Sequence, residues 1–279
     1  MIGVAGGLTA ALMWGTSTVA ASRSTRQLGS QQALAFVQLF GLALAAAAAP
    51  IVDGAPATAA AGWAWALLAG VASVGGLSTM YRALRIGKVG VVAPIASTEG
   101  AFAAVLAITV LGQSLTAPVA VALALVVAGV VAVTFQGTMA DVHLRPSLYA
   151  MGAAGLFGVG LVSSSQAGHH LGPFWTILVA RLAGMVMIVL PLTARGRLAR
   201  PGRALPLVVY SGLAEVIGFA AYIAGSQDGV AVPAVLASQF AAVAAVASYL
   251  LFGERLARRQ LGGAVLIMVG VAAVAGLQA

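Results

Sequence analysis

The sequence predicts an all-α integral membrane fold: ten transmembrane helices, arranged as two inverted five-helix repeats around a central cavity. Composition is the first reason. Of 279 residues, 61% are hydrophobic and 7% charged, against about 25% charged in a soluble domain. The second reason is a repeat. Residues 81–134 recur without a gap at 222–275, so that Tyr81 pairs with Tyr222, Ser97 with Ser238, Gly112 with Gly253 and Gly129 with Gly270, each 141 apart (222−81, 238−97, 253−112, 270−129). The third is parity. Each half carries five long apolar segments, and an odd number makes the second copy enter the bilayer from the opposite side.

A helix needs about 20 apolar residues to cross the hydrocarbon layer. Segments of that size begin near Gly3, Gln32, Trp63, Val89 and Pro118 in the first half, and near Leu148, Pro173, Leu205, Val230 and Leu261 in the second. The connections between them alternate in charge. Arg23 and Arg26 follow span 1; Arg82, Arg85 and Lys88 follow span 3; Arg145 follows span 5; Arg195, Arg197, Arg200 and Arg203 follow span 7; Arg255, Arg258 and Arg259 follow span 9. One face thus receives 13 of the 14 cations (14 less Arg181) and the other receives none. Short cationic loops stay cytoplasmic, so that face is expected in the cytoplasm and both termini outside, in a multi-pass protein of the plasma membrane.

An inverted repeat supplies an internal check, because equivalent loops lie on opposite faces and only one of each pair should be basic. "RALRIGK" is matched by "IAGSQDG", "FGERLARRQ" by "LGQSLTA" and "RGRLARPGR" by "VDGAPATAA". The formal charge of +8 is therefore an orientation signal, and no nucleic-acid partner is expected. With no Cys, the chain has no disulfide and no thiolate ligand or nucleophile. Its N-terminus lacks the basic region of a signal peptide, so span 1 is expected to stay in the mature protein.

The halves divide at 1–135 and 148–279, joined by a linker at 136–147 whose "QGTMADVHLRP" holds no ligand or catalytic spacing.

Three ionised side chains fall at membrane depth: Glu99 in span 4, Arg181 in span 7 and Glu215 in span 8. Each costs about 2.5–3.5 kcal/mol at a helix centre and so needs a partner, a cavity or a proton. One cation against two anions leaves one carboxylate over. Low dielectric favours the neutral form of an unpaired carboxylate, which suits it to taking up and releasing a proton. The structural alternative is that one Glu pairs with Arg181 while the other sits in a wet vestibule. Consecutive spans 7 and 8 give Glu215 the better claim on Arg181.

Gln38 occupies the first-half position equivalent to Arg181 (181−38 = 143), at the same offset as Gly41 to Gly184 and Gly15 to Gly158. Either a site is kept polar in both halves, or both groups hydrogen-bond neighbouring helices. Pro94 and Pro233 interrupt spans 4 and 9 at nearly corresponding positions. Paired interruptions point to a carrier's binding site and to hinges in its wall, though a packing kink would look the same.

Helical spacing places Ser211, Glu215, Gly218 and Tyr222 on one side of span 8, and Trp14 with Ser17 and Thr18 on one side of span 1; Gln239 stands beside Ser238 in span 9. These groups would line a cavity for an amphipathic small molecule. Tyr81 and Tyr222 also lie near enough to span ends to belong to an interfacial belt. His169 and His170 point about 100° apart on a helix and lack a third ligand nearby, so no metal is expected. Gly152, Gly155, Gly158 and Gly160 follow no strand and fit close helix packing better than a dinucleotide fingerprint.

Trp14-Gly15, "YRAL" with "VVAPI", and "FGERLARRQLGGAVLIMVGV" at 252–271 together resemble the drug/metabolite transporter superfamily, EamA type. The resemblance covers nearly the whole chain. In the first half the matching turn reads "LGQSLT", with Gln113 where that family usually has Glu. What the resemblance implies is a ten-helix secondary carrier for amino acids, metabolites or drug-like compounds, working by alternating access, with a cavity between the halves. It also implies cytoplasmic termini; here the one-sided charges decide for the opposite. A lipid-linked metabolite flippase is the alternative, and a membrane-embedded enzyme ranks behind both, since no nucleophile and base share a convincing spacing. Expected partners are a small-molecule substrate, membrane lipid and, if a carboxylate is coupled, protons, with no cofactor. Monomer and homodimer are both open.

Overall fold

The structure, a computed structural model, describes residues 1–56, 59–87, 89–114, 116–134 and 144–252, together with the single positions 266, 269, 270 and 273. In the first half the helices are α1 (Ile2–Leu28), α2 (Ser30–Ala48), α3 (Ala60–Ile86), α4 (Val89–Ala96), α5 (Glu99–Thr109) and α6 (Ala117–Thr134). The second half holds α7 (Leu144–Leu171), α8 (Pro173–Gly184), α9 (Leu190–Ala194), α10 (Leu205–Gly225), α11 (Ala231–Ala237) and α12 (Phe240–Phe252). Wider π-helical turns, Ala49–Asp53 and Met185–Val189, extend α2 and join α8 to α9.

Among the described residues, six stretches are long and apolar enough to cross a membrane: Ile2–Leu28, Ser30–Asp53, Ala60–Ile86, Leu144–Leu171, Pro173–Ala194 and Gly202–Gly225. Helices are the economical solution in lipid because every backbone group is satisfied within the segment. The 18-residue α6 is apolar too. The expected spans 4 and 9 are each two short helices, and the expected span 10, apart from the four single positions, lies outside the described residues, as do the "ERLARRQ" turn and residues 136–143 of the linker. The α7 helix begins at Leu144, within the 136–147 stretch.

Small side chains take many of the helix interfaces. Ala10, Ala33, Ala69, Ala153 and Ala214 are buried between helices, while Leu8, Leu12, Leu67, Val105, Leu182 and Ile217 are exposed. In lipid there is no hydrophobic gain from burying a leucine, so small residues that let backbones approach take the interfaces.

The two halves fold alike in detail. Gly29 joins α1 to α2 with φ 85° and ψ 153°, and Gly172 joins α7 to α8 with φ 83° and ψ 165°; the two are 143 apart (172−29). That backbone region is open in practice only to glycine. Each donates its N–H four residues back, Gly29 to Thr25 at 2.9 Å and Gly172 to Gly168 at 3.0 Å. Packing is duplicated as well. The α1 helix lies on α10 as α7 lies on α3; α1 also meets α11 and α12 as α7 meets α4 and α5; α2 crosses α8, and α5 crosses α11.

Ends of the bundle can be told apart. At one, Arg26 Nη2 donates to Gly87 O at 3.3 Å and Gln32 bridges the backbone of Arg197 and Ala199. At the other, Asp53 Oδ2 accepts from the N–H groups of Phe174 (2.6 Å) and Trp175 (3.1 Å), capping α8, and Gln113 Oε1 accepts from Val230 N at 3.1 Å. The equivalent turns at Gly29 and Gly172 therefore sit at opposite ends.

Candidate functional site

Two helix breaks set the site. The α4 helix stops at Ala96 and α5 starts at Glu99, while α11 stops at Ala237 and α12 starts at Phe240; both differences are 141 (237−96, 240−99). Their hydrogen bonds are copies of one another. Ser97 N bonds Ala93 O as Ser238 N bonds Ala234 O, and Thr98 N bonds Ile95 O as Gln239 N bonds Leu236 O. The interruptions thus lie three residues after Pro94 and five after Pro233 (97−94, 238−233). Pro233 is the third residue of α11, where a missing N–H leaves no bond unmade. Pro94 falls inside α4, where its missing donor frees the carbonyl four residues back.

The breaks pack against each other: an added Cβ at Gly100 would lie 2.7 Å from Ala234 O and 3.0 Å from Ser238 Cβ. They deliver Glu99 and Phe240 to a narrow cavity, lined also by Trp14, Ser17 and Thr18 of α1, Tyr81 of α3, Phe157 of α7, and Glu215 and Phe219 of α10. Ala21 and Leu84 extend it toward the arginine-bearing end of the bundle. Trp14 is seated by a glycine, since an added Cβ at Gly218 would stand 2.4 Å from its Nε1. Its ring meets Phe219 with centroids 4.8 Å apart.

Glu215 is held from two sides. Ser17 Oγ donates to its Oε1 at 3.3 Å, and Arg181 Nη2 stands 3.9 Å from its Oε2. Arg181 Nη1 also donates to Gln38 Oε1 at 3.0 Å. Gln38 and Arg181 line a second, smaller cavity rather than the first; Leu77 and Phe219 belong to both walls. A pair of equivalent glycines makes this crossing possible. Gly184 gives space to Gln38 and Gly41 to Arg181, with an added Cβ at 2.5 Å from Gln38 Cδ and 3.0 Å from Arg181 Nε respectively.

Glu99 is 3% exposed and has no ion-pair partner among the described residues. Glu215 and Tyr222 are within its electrostatic reach, and Arg181 and Tyr81 within that of Glu215.

Of the residues singled out from the sequence, Trp14, Ser17, Tyr81, Glu99 and Glu215 share the cavity. Gln38 and Arg181 stand behind it. Tyr222 is fully buried beside Trp14 and donates to Leu161 O at 3.2 Å. With Tyr81 2% exposed and Tyr222 0%, neither belongs to an interfacial belt. Gln239 sits in the second break, where its Nε2 bonds Val235 O at 3.1 Å. Phe157, Phe219 and Phe240 were not anticipated. A phenylalanine in an apolar segment carries no signal of its own, although Phe157 occupies the place of Trp14 (157−14 = 143) and Phe240 that of Glu99 (240−99 = 141). Close packing on α7 falls to Gly158 and Gly160, with neighbours at 2.6 and 2.8 Å of an added Cβ, while Gly152 and Gly155 face open space.

A duplicated bundle of apolar helices, with ionisable groups gathered in a cavity between its halves, defines a multi-pass membrane protein of the solute-transporter class. The profile of the EamA-like transporter family matches residues 1–135 and again 144–276, and the chain belongs to that family. A solved structure titled "Crystal structure of protein" is similar over 99% of this chain and 96% of its own, with a TM-score of 0.77 and 18% identity, a likeness of fold. No curated protein matches the chain.

Proposed function

We propose that the protein is a secondary transporter which carries a small organic solute across the plasma membrane by alternating access, with movement linked to protons through Glu99. The observation that carries this reading is the placement of Glu99: buried, without an ion-pair partner among the described residues, and at the first turn after a helix break in the cavity wall. A carboxylate there can exchange a proton when the break flexes, whereas Glu215 is engaged by Ser17 and Arg181. The matched breaks near Pro94 and Pro233 would be the hinges, since a few element-terminal residues can absorb such motion. Ten spans in inverted repeat, with the arginine-bearing end in the cytoplasm, complete the proposal. The opposite placement of the Gly29 and Gly172 turns supports it, because exchanging the conformations of two inverted halves turns an inward-open carrier outward.

Proteoliposomes test the function directly. With a panel of amino acids, amines and drug-like aromatics, an imposed pH gradient should drive accumulation of at least one solute, and Glu99→Gln should bring that accumulation down to the level reached without the gradient. No flux above protein-free liposomes would refute transport. Accumulation by Glu99→Gln equal to the parent would refute coupling through Glu99.

Orientation has its own test. Because the chain has no Cys, single cysteines at Arg85, Arg197, Asp53 and Asp228 can be labelled unambiguously. A membrane-impermeant thiol reagent on intact cells should label the last two and spare the first two; the reverse pattern would invert the topology.

A further inference from the structure

We propose that the cavity selects a monovalent organic cation with an apolar body, an amine or quaternary ammonium, over neutral, anionic and zwitterionic solutes. This rests on the transporter reading above and names its substrate class.

Charge is the first ground. Among the described residues, the ionisable groups on the cavity wall include two carboxylates, Glu99 and Glu215, and no Lys or Arg. Arg181 is the nearby cation, but it lies behind the wall and faces Glu215 and Gln38. Counting Arg181 against Glu215 leaves the carboxylate of Glu99 uncompensated. A buried charge is costly until something pairs with it, and a cationic solute supplies that partner on arrival. An anion would add a like charge. A free amino acid would bring an ammonium together with a carboxylate that no cation on the wall can meet.

The wall itself is the second ground. Trp14, Tyr81, Phe157, Phe219 and Phe240 present five aromatic side chains from five different helices. Ring faces attract cations, ammonium groups above all, and the attraction is strongest where water is excluded. Neutral apolar solutes would gain from the same rings only by contact area.

Two polar atoms on this wall remain to be used. The Tyr81 hydroxyl and Trp14 Nε1 are buried without hydrogen-bond partners among the described residues. Buried polar groups are seldom left unpaired. The Tyr81 oxygen can accept from an ammonium N–H, and the indole N–H can donate to a hydroxyl or carbonyl on the solute body.

The test compares solutes of one shape and different charge. Full-length protein in nanodiscs is titrated calorimetrically with benzyltrimethylammonium, with its uncharged carbon isostere neopentylbenzene, and with phenylalanine. The cation should bind at least about tenfold more tightly than either of the others, the size of one desolvated cation–π contact. In Glu99→Gln, which keeps the rings and removes the charge, that ratio should fall. Equal or weaker binding of the cation, its failure to bind at millimolar concentration, or an unchanged ratio in Glu99→Gln would overturn the assignment. If Glu99→Gln fails to fold, the ratios in the parent protein decide alone. Proteoliposome uptake separates this proposal from the one it rests on: cation binding without flux upholds the site and removes the transporter, while flux of phenylalanine without binding of the cation does the reverse.

Discussion

Glu215→Gln is expected to destabilise the protein by roughly 3 kcal/mol, the cost of leaving one member of a buried ion pair without its partner. The substitution keeps the shape of the side chain and its capacity to accept from Ser17, so the loss isolates the charge. Arg181 would then be 3% exposed with Gln38 as its one hydrogen-bond partner among the described residues, and its Nε already has none. A guanidinium cannot escape by deprotonating. Arg181→Gln should cost less, because the carboxylate left behind can take up a proton and become neutral.

The double variant decides the argument. With both charges gone, an amide at 181 can still bond Gln38, and Glu215→Gln with Arg181→Gln should be more stable than Glu215→Gln alone. Thermal unfolding in detergent gives the order. A double variant no more stable than the single one would mean that the contact, long at 3.9 Å, contributes little.

That Glu215 would reach Arg181 was legible because charged residues stand out in an apolar sequence and consecutive spans pack together. The helix breaks were legible as regions but not as positions. Prolines mark spans 4 and 9, yet Pro94 aligns with Val235 and Pro233 with Val92 (94+141, 233−141), so neither has a proline counterpart in the other half. What the halves share is the pair of serines, Ser97 and Ser238, at which each helix stops. Proline at the start of α11 merely fits there, while the site of the break is set by where α5 and α11 cross through Gly100. Crossings are tertiary facts, and a single sequence does not announce them.

The same holds for the cavity. Polar residues declared themselves, whereas Phe157, Phe219 and Phe240 became wall residues only when α7, α10 and α12 closed around the cavity. Tyr81 and Tyr222 show the converse error. Their distance from span ends in sequence agreed with an interfacial belt, but the packing of α3 and α10 buries both.

Gly6→Ala should lower stability by about 2 kcal/mol, the usual cost of overpacking a tight contact, although alanine is the better helix former by close to 1 kcal/mol in an exposed helix. The added methyl would stand 2.4 Å from Ala221 O and 2.8 Å from Gly225 Cα. Both are backbone atoms, so no rotamer change relieves the contact and α1 must move away from α10. The crossing has little slack elsewhere: added Cβ atoms at Gly3 and Gly225 would meet backbone at 3.2 and 3.1 Å. Gly152→Ala is the control, because nothing lies within 4 Å of its added Cβ, and it should be neutral or slightly stabilising.

The wedge also has a place. Gly6 and Gly225 lie where α1 and α10 meet at the end of the bundle away from the arginines, next to Ser226, which is 0% exposed and whose carbonyl accepts from Ser165 Oγ at 3.3 Å. Parting the helices there should open that end. A cysteine at Ser226 should be protected from a water-soluble thiol reagent in the parent background and reactive in Gly6→Ala, at equal overall folding by far-UV circular dichroism. If Gly6→Ala and Gly152→Ala behave alike in stability and Ser226→Cys stays protected in both, the α1–α10 contact is looser than its glycines imply.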